Sequence, residues 1–184
     1  MPPESSLDAA RARFDTHYPA LWRSMIADFA AATRDSLWLT GPANYLLCTA
    51  GVRWAVDPVF LHPQAVELLR AGHGRALDRL SFCLYTHGHN DHVHPPTIQA
   101  LAPLPITWVV PHFMRDKLAA SGAPLDRLLL VKPGDVIQLG GLTLHAYPGL
   151  HYDAGTRLGV DSLWYLIEAG GRRLFIPGDV RDYD

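Results

Sequence analysis

Histidines are concentrated in one short stretch of the sequence, which reads YTHGHNDHVH over residues 85–94. His87, His89, Asp91 and His92 offer imidazole nitrogens and a carboxylate, a ligand set that suits Zn²⁺. His87 and His89 flank a glycine and can share one ion, while Asp91 and His92 follow closely enough to face a second. An exposed polar loop is the alternative interpretation, but His-x-His-x-Asp-His is far more specific than an isolated histidine. The stretch therefore predicts a metal centre.

The elements around the motif predict an α/β fold. The apolar run LSFCLY precedes it and predicts a strand whose carboxyl end carries the histidines, as α/β folds place their chemistry. Other β-branched and aromatic runs predict further strands: LWLT, NYLLCT, VRWAV, ITWVV, LTLHAY, SLWYLIEA and RRLFIP. Helical stretches are expected at about 63–71, 96–102 and 113–120, with turns at 132–135, 140–141 and 170–171. This mixture is typical of a layered α/β domain.

Residues 1–35 differ from the rest of the chain in the spacing of their apolar residues. Their apolar residues recur at three- and four-residue steps, which predicts helix, and Pro19 is expected to split it into two helices. We therefore predict an N-terminal helical extension over 1–35 and one domain over 36–184.

The motif resembles the signature of the metallo-β-lactamase-fold hydrolases, which follows the fourth or fifth strand of that fold. The resemblance continues along the chain in the family's order, from Leu37 to Asp179. It is carried by Trp38–Gly41, Asn44–Leu47, Val56–Val59, Gly134–Asp135, Leu142–His151, Leu163–Ile167 and Leu174–Asp179. The Asp-Pro-Val form at 57–59 is similar to the branch of L-ascorbate-6-phosphate lactonase-like and N-acylphosphatidylethanolamine phospholipase D-like proteins. Pro42 and Val180 depart from the residues that are usual there, which weakens any transfer of substrate specificity.

The resemblance implies an αββα sandwich with a dinuclear site. By family position the ligands are His87, His89 and His151 for the first metal, Asp91 and His92 for the second, and Asp179 bridging both. In the family a later histidine completes the second site, and the chain ends before that element. We therefore expect a C-terminally truncated domain whose second half is incomplete.

Two divalent ions in such a site imply a hydrolase. Zn²⁺ is the expected metal, and Mn²⁺ or Fe would accept the same ligands. A metal-bound hydroxide would attack a phosphodiester, lactone or amide in a small molecule or lipid headgroup. Asp91 is the expected catalytic residue, orienting that nucleophile and carrying its proton.

Four further residues are candidates for the surroundings of the pocket. Asp57 could fix the tautomer of a ligand histidine or simply cap a turn. His94 and His112 could reach the pocket as substrate or substitute metal ligands, although solvated loop histidines are favoured. Arg157 is a candidate phosphate contact, with an exposed loop position favoured.

The composition of the chain limits the functions and locations that can be expected for it. The chain has 184 residues and a net charge of −2, which gives no electrostatic footprint for nucleic acid or an anionic membrane. No apolar run is long enough to span a bilayer, so a cytoplasmic protein with free, buried cysteines at 48 and 83 is expected. The alternative functions are a nucleic-acid-processing member of the same superfamily and a truncated, non-catalytic metal-binding fragment. The oligomeric state stays open.

Overall fold

A computed structural model describes residues 6–60, 62–70, 75–152 and 159–179. In it, helices pack on one face of a six-stranded sheet, and a four-stranded sheet packs on the other face. The helices are α1 (Ser6–Ala31), α2 (Pro63–Leu68), α3 (Pro95–Leu101) and α4 (Arg115–Ala120), with 3₁₀ turns at Arg75–Arg79, His112–Met114 and Leu125–Arg127. The strands are β1 (Ser36–Gly41), β2 (Asn44–Thr49), β3 (Val52–Val56), β4 (Phe82–Leu84), β5 (Thr107–Pro111), β6 (Leu128–Val131), β7 (Val136–Leu139), β8 (Leu142–Tyr152), β9 (Gly159–Ala169) and β10 (Arg172–Ile176).

The two sheets differ in strand direction. The first has the order β1-β2-β3-β4-β5-β6, with antiparallel pairing up to β3 and parallel pairing from β3 to β6. The second is antiparallel throughout, in the order β10-β9-β8-β7. Because β3 and β4 run parallel, the residues that follow both strands emerge at the same edge of the sheet.

Successive side chains of the first sheet enter two separate cores, as the pleat requires. Trp54 and Phe82 stack at 5.3 Å and face the second sheet, whereas Ala55 and Cys83 face the helices. Since both faces are buried, these strands carry continuous apolar runs, and this is why they were predictable from the sequence.

The expected break at Pro19 is wrong, because α1 is one continuous helix. A proline there removes the hydrogen bond to the carbonyl of Asp15, which lies on the exposed side of the helix and can bond water instead. The buried stripe formed by Tyr18, Trp22 and Phe29 continues across the proline and packs against the core. Packing of that stripe outweighs the local cost.

Other sequence predictions are confirmed or extended. Helices lie at the three predicted places, and all the predicted strands are present. The structure adds β6 and β7, which the sequence analysis missed. Cys48 and Cys83 are free and buried. Among the described helices, none is both long and apolar enough to cross a bilayer.

Candidate metal centre

The histidine motif leaves the first sheet at the end of β4 and is held there by backbone contacts to the second sheet. Leu163 N donates to Thr86 O at 2.9 Å, and His87 forms an isolated antiparallel bridge with Ser162. The following residues turn sharply, since the amides of His92 and Val93 both donate to His89 O. This turn brings the later residues of the motif back beside the earlier ones.

Three histidines form the first cluster. His87, His89 and His151 place their nearest ligand atoms within 4.8 Å of one another. The three ring-to-ring separations are 4.8, 4.8 and 4.7 Å. His151 comes from the far end of β8, 62 positions along the chain from His89 and 64 from His87. The site is therefore built by the contact between the two sheets.

A second cluster contains Asp91, His92 and Asp179, whose ligand atoms also lie within 4.8 Å of one another. The carboxylate of Asp179 links the two clusters. Its Oδ1 is 3.1 Å from His92 Nε2, and its Oδ2 is 3.7 Å from His151 Nε2. One carboxylate oxygen thus faces each cluster, which is the arrangement that a bridging ligand needs.

Asp57 directs His92 toward the second cluster. Its carboxylate is completely buried and accepts hydrogen bonds from Thr86 N (2.8 Å), Thr86 Oγ1 (2.6 Å) and His92 Nδ1 (2.8 Å). Asp57 also lies within ligand distance of His87 and His92, but three donors already occupy most of its acceptor sites. With Nδ1 donating to Asp57, His92 Nε2 faces Asp91 and Asp179 and is the nitrogen that a metal ion could bind. Of the two roles considered from the sequence, this contact favours control of the tautomer.

The first cluster fits a cation. His87 Nε2 and His151 Nδ1 are buried and have no hydrogen-bond partner in the described part of the chain. Burial and the neighbouring histidines lower the pKa of His87 to about 2, so its ring is neutral near pH 7 and can offer a lone pair. Buried polar atoms without partners are costly, and an ion in the cluster would satisfy His87 Nε2.

The electrostatics of His92 differ from those of His87. Burial alone would lower the pKa of His92, but the hydrogen bond and charge of Asp57, with Asp179 and Asp91 adding to them, raise it. The second cluster contains two carboxylates beside His92, whereas the first consists of three imidazoles. Carboxylates attract a cation.

The remaining sequence candidates lie outside these clusters. His94 precedes α3, and its Nδ1 lies 2.8 Å from Thr97 Oγ1. His112 is exposed and contacts the ring of Phe113. Neither belongs to any of the His/Asp groups found among the described residues. Arg157 lies outside the described residues.

Three site residues escaped the sequence analysis. Thr86 Oγ1 lies between the Asp57 carboxylate and His87 Nδ1, 3.0 Å from the latter. Lys117 Nζ donates to Gly88 O and, at 3.3 Å, to Asn90 Oδ1, which fixes the motif loop against α4. Asn44 donates to the backbone carbonyls of Asp57 and Asp91. The position of Thr86, immediately before His87, could have indicated its role. The roles of Asn44 and Lys117 depend on tertiary contacts.

Two packed sheets with helices on one of them, and a cluster of histidines and aspartates at the strand ends, define the metallo-β-lactamase fold. Residues 53–184 match the family described as the Beta-lactamase superfamily domain, and the chain belongs to that family. This confirms the resemblance predicted from the motif.

Relatives and solved structures agree with this assignment. The "Probable L-ascorbate-6-phosphate lactonase UlaG" proteins of Salmonella paratyphi B and Salmonella newport are each 26% identical over 56% of this chain. The match covers 34% of those proteins, so the chain spans about a third of the length of the curated relatives it matches. These relatives support the lactonase-like branch.

Three solved structures share the fold. Igni18, a metallo hydrolase from Ignicoccus hospitalis, has a TM-score of 0.57 at 19% identity, over 79% of this chain and 60% of its own. The metallo-β-lactamase-fold protein YhfI from Bacillus subtilis has a TM-score of 0.54 at 14% identity, over 77% of this chain and 56% of its own. CmlA, a diiron β-hydroxylase from Streptomyces venezuelae, has a TM-score of 0.57 at 18% identity, over 79% of this chain and 30% of its own.

Proposed function

We propose that this chain is a dinuclear metal-dependent hydrolase that cleaves a lactone in a small molecule. The observation that supports it most strongly is the placement of Asp179, with one carboxylate oxygen toward His92 and the other toward His151. The lactone is favoured over a phosphodiester or an amide, in a small molecule or a lipid headgroup, because the curated relatives carry the name of a lactonase.

The proposed ligand sets follow the two clusters. His87, His89 and His151 would hold the first ion, Asp91 and His92 would hold the second, and Asp179 would contact both. When bound, paired divalent ions lower the pKa of water and polarise a substrate oxygen. Zn²⁺ suits this mixture of nitrogen and oxygen ligands, and Mn²⁺ and iron are the alternatives, iron also because CmlA, whose fold is similar, is a diiron protein.

Residues of this chain would accept the proton of the attacking water and hold the metal ligands in position. Asp91 is the proposed catalytic residue, because its exposed carboxylate belongs to the second cluster and can accept a proton from an attacking water. Asp57 holds the proton on His92 Nδ1, and Lys117 keeps the motif loop against α4.

Hydrolysis by the metal-loaded chain tests the proposal. A γ-lactone, bis(4-nitrophenyl) phosphate and a chromogenic amide would be supplied separately, with Zn²⁺ or Mn²⁺. We expect metal-dependent lactone hydrolysis, and a loss in kcat of about 10²–10⁴-fold in Asp91→Asn. His145→Ala is the matched control, because His145 lies on the second sheet beside Glu168, away from the clusters.

The remaining outcomes separate the alternatives. Hydrolysis of the phosphodiester alone, with RNA cleavage that falls steeply as salt rises, would favour a nucleic-acid-processing enzyme instead. A fully metallated chain that cleaves none of the three substrates would contradict the proposal and favour a non-catalytic metal-binding fragment.

A further inference from the structure

Asn44 stands at the start of β2 and is completely buried, yet it belongs to neither ligand cluster. Its side-chain Nδ2 donates to two backbone carbonyls, Asp57 O at 2.7 Å and Asp91 O at 3.0 Å. These acceptors lie 13 and 47 positions further along the sequence. A single amide group therefore joins the β1–β2 hairpin to the end of β3 and to the histidine motif.

The contact at Asp57 holds an unfavourable backbone conformation. Asp57 has a φ of 42°, in the left-handed region that residues other than glycine seldom adopt. This conformation turns its carboxylate toward Thr86 and His92, while its carbonyl points to Asn44. Such strain persists only when the surroundings fix it, and the amide is one of the groups that do so here.

The contact at Asp91 acts directly on the second cluster. Asp91 is exposed, and its side chain is one of the three groups whose ligand atoms converge there. Its neighbour His92 is oriented by Asp57 from the other side. By donating to both carbonyls, Asn44 fixes the distance between Asp57, which orients His92, and Asp91.

The surroundings of the amide show how closely it is fitted. Asn44 Oδ1 is buried with no hydrogen-bond partner in the described part of the chain, a cost in stability. A Cβ placed on Gly41, the residue paired with Asn44 across the hairpin, would lie 2.2 Å from that oxygen. Only a glycine leaves room for the amide in this position.

We propose that Asn44 is a positioning residue for the second metal ion, acting through the backbones of Asp57 and Asp91. The inference rests on the proposed function for the presence of two ions. It predicts that loss of the amide weakens binding of the second ion and spares the first, because His87, His89 and His151 make no contact with Asn44 among those described.

Two variants disturb the amide in different ways. Asn44→Ala removes it, and Gly41→Ala displaces it through the added methyl group while leaving Asn44 in the sequence. Gly41 does not have a left-handed φ, so alanine suits its backbone. Thr40→Val is the matched control, because Thr40 Oγ1 donates to the backbone oxygen of Asn44 at 3.1 Å and leaves the amide alone.

The measurement is titration of the apoprotein with Zn²⁺ in competition with a chromophoric chelator, repeated with Co²⁺ to follow its absorption spectrum. Both alanine variants should lower the affinity for the second ion by about 10–100-fold and leave the first unchanged. The control should bind both ions as the natural chain does. Circular dichroism establishes that each variant is folded.

The outcomes separate this inference from the proposed function. If the natural chain binds two ions and the folded variants bind both with unchanged affinity, Asn44 has no positioning role. Equal weakening of both ions together with a lower Tm would show a structural role only, and would also overturn the inference. If the natural chain itself binds fewer than two ions, the proposed function fails, whatever the variants do.

Discussion

Asp57→Asn is the substitution from which the structure predicts the largest effect without altering a proposed ligand. The Asp57 carboxylate is fully buried and accepts three hydrogen bonds at 2.6–2.8 Å. An asparagine has one acceptor oxygen and an NH₂ group, so a donor would face either Thr86 or His92. At least one of the three hydrogen bonds would then be lost or reversed.

The magnitude follows from breaking a buried, charge-assisted pair. Removal of one partner of such a pair costs about 3–5 kcal/mol, and we expect about 3 kcal/mol because the remaining oxygen keeps part of the network. For a chain of this size that corresponds to a fall in Tm of roughly 6–12 °C. His92 would also lose the group that sets its tautomer, which should lower the affinity for the second ion by about 10–100-fold.

Thermal unfolding of the apoprotein and Zn²⁺ titration of the folded variant measure the two effects separately. Asp116→Asn is the matched control, since that carboxylate is 92% exposed and pairs only with its neighbour Arg115 among the described ion pairs. An Asp57→Asn variant with the stability and metal affinity of the control would refute the reasoning that a buried carboxylate organises the second cluster.

Three further predictions concern the fold. Arg53 donates to the carbonyls of residues 29, 30 and 32 at the end of α1, so Arg53→Met should lower the free energy of unfolding in urea by about 2 kcal/mol; a change below about 0.5 kcal/mol, typical of surface substitutions, would contradict this. Cys48 and Cys83 are buried, and burial raises the pKa of the Cys83 thiol, so neither should react with Ellman's reagent until the protein unfolds. Rapid labelling of the native protein would disprove their burial. Gly178 has a φ of 66°, and an added Cβ would lie 2.8 Å from Thr86 Oγ1, so Gly178→Ala should lower Tm and metal affinity together, and an unchanged Tm would contradict the contact.

Burial on both faces made two of the central strands, β2 and β3, predictable from the sequence. The runs NYLLCT and VRWAV are buried on both faces or nearly so, and they carry continuous apolar residues for that reason. By contrast, β6 and β7 are four residues each and largely unburied. β6 is a strand because it pairs with β5, and β7 because it pairs with β8 across the turn at 140–141. So short a stretch gives little periodic signal of its own.

Some residues of the candidate site could be predicted from the sequence, and others could not. His87, His89, Asp91 and His92 are close in sequence, so their spacing alone indicated a metal centre. His151 and Asp179 were placed by resemblance to a family, and the structure brings both beside the motif. The contacts of Asn44 and Lys117 with the motif span 27 to 47 residues and arise only when the sheets and helices assemble.

Metal content per folded chain tests the central claim most directly. Elemental analysis of protein purified without chelators or added metal should give about two divalent ions per chain, and the His145→Ala control should give the same value. The His87→Ala variant should retain fewer ions per chain than the natural chain, but it need not lose both. A natural chain that holds one ion or none, even after dialysis against Zn²⁺, would contradict the dinuclear site and the hydrolase built on it.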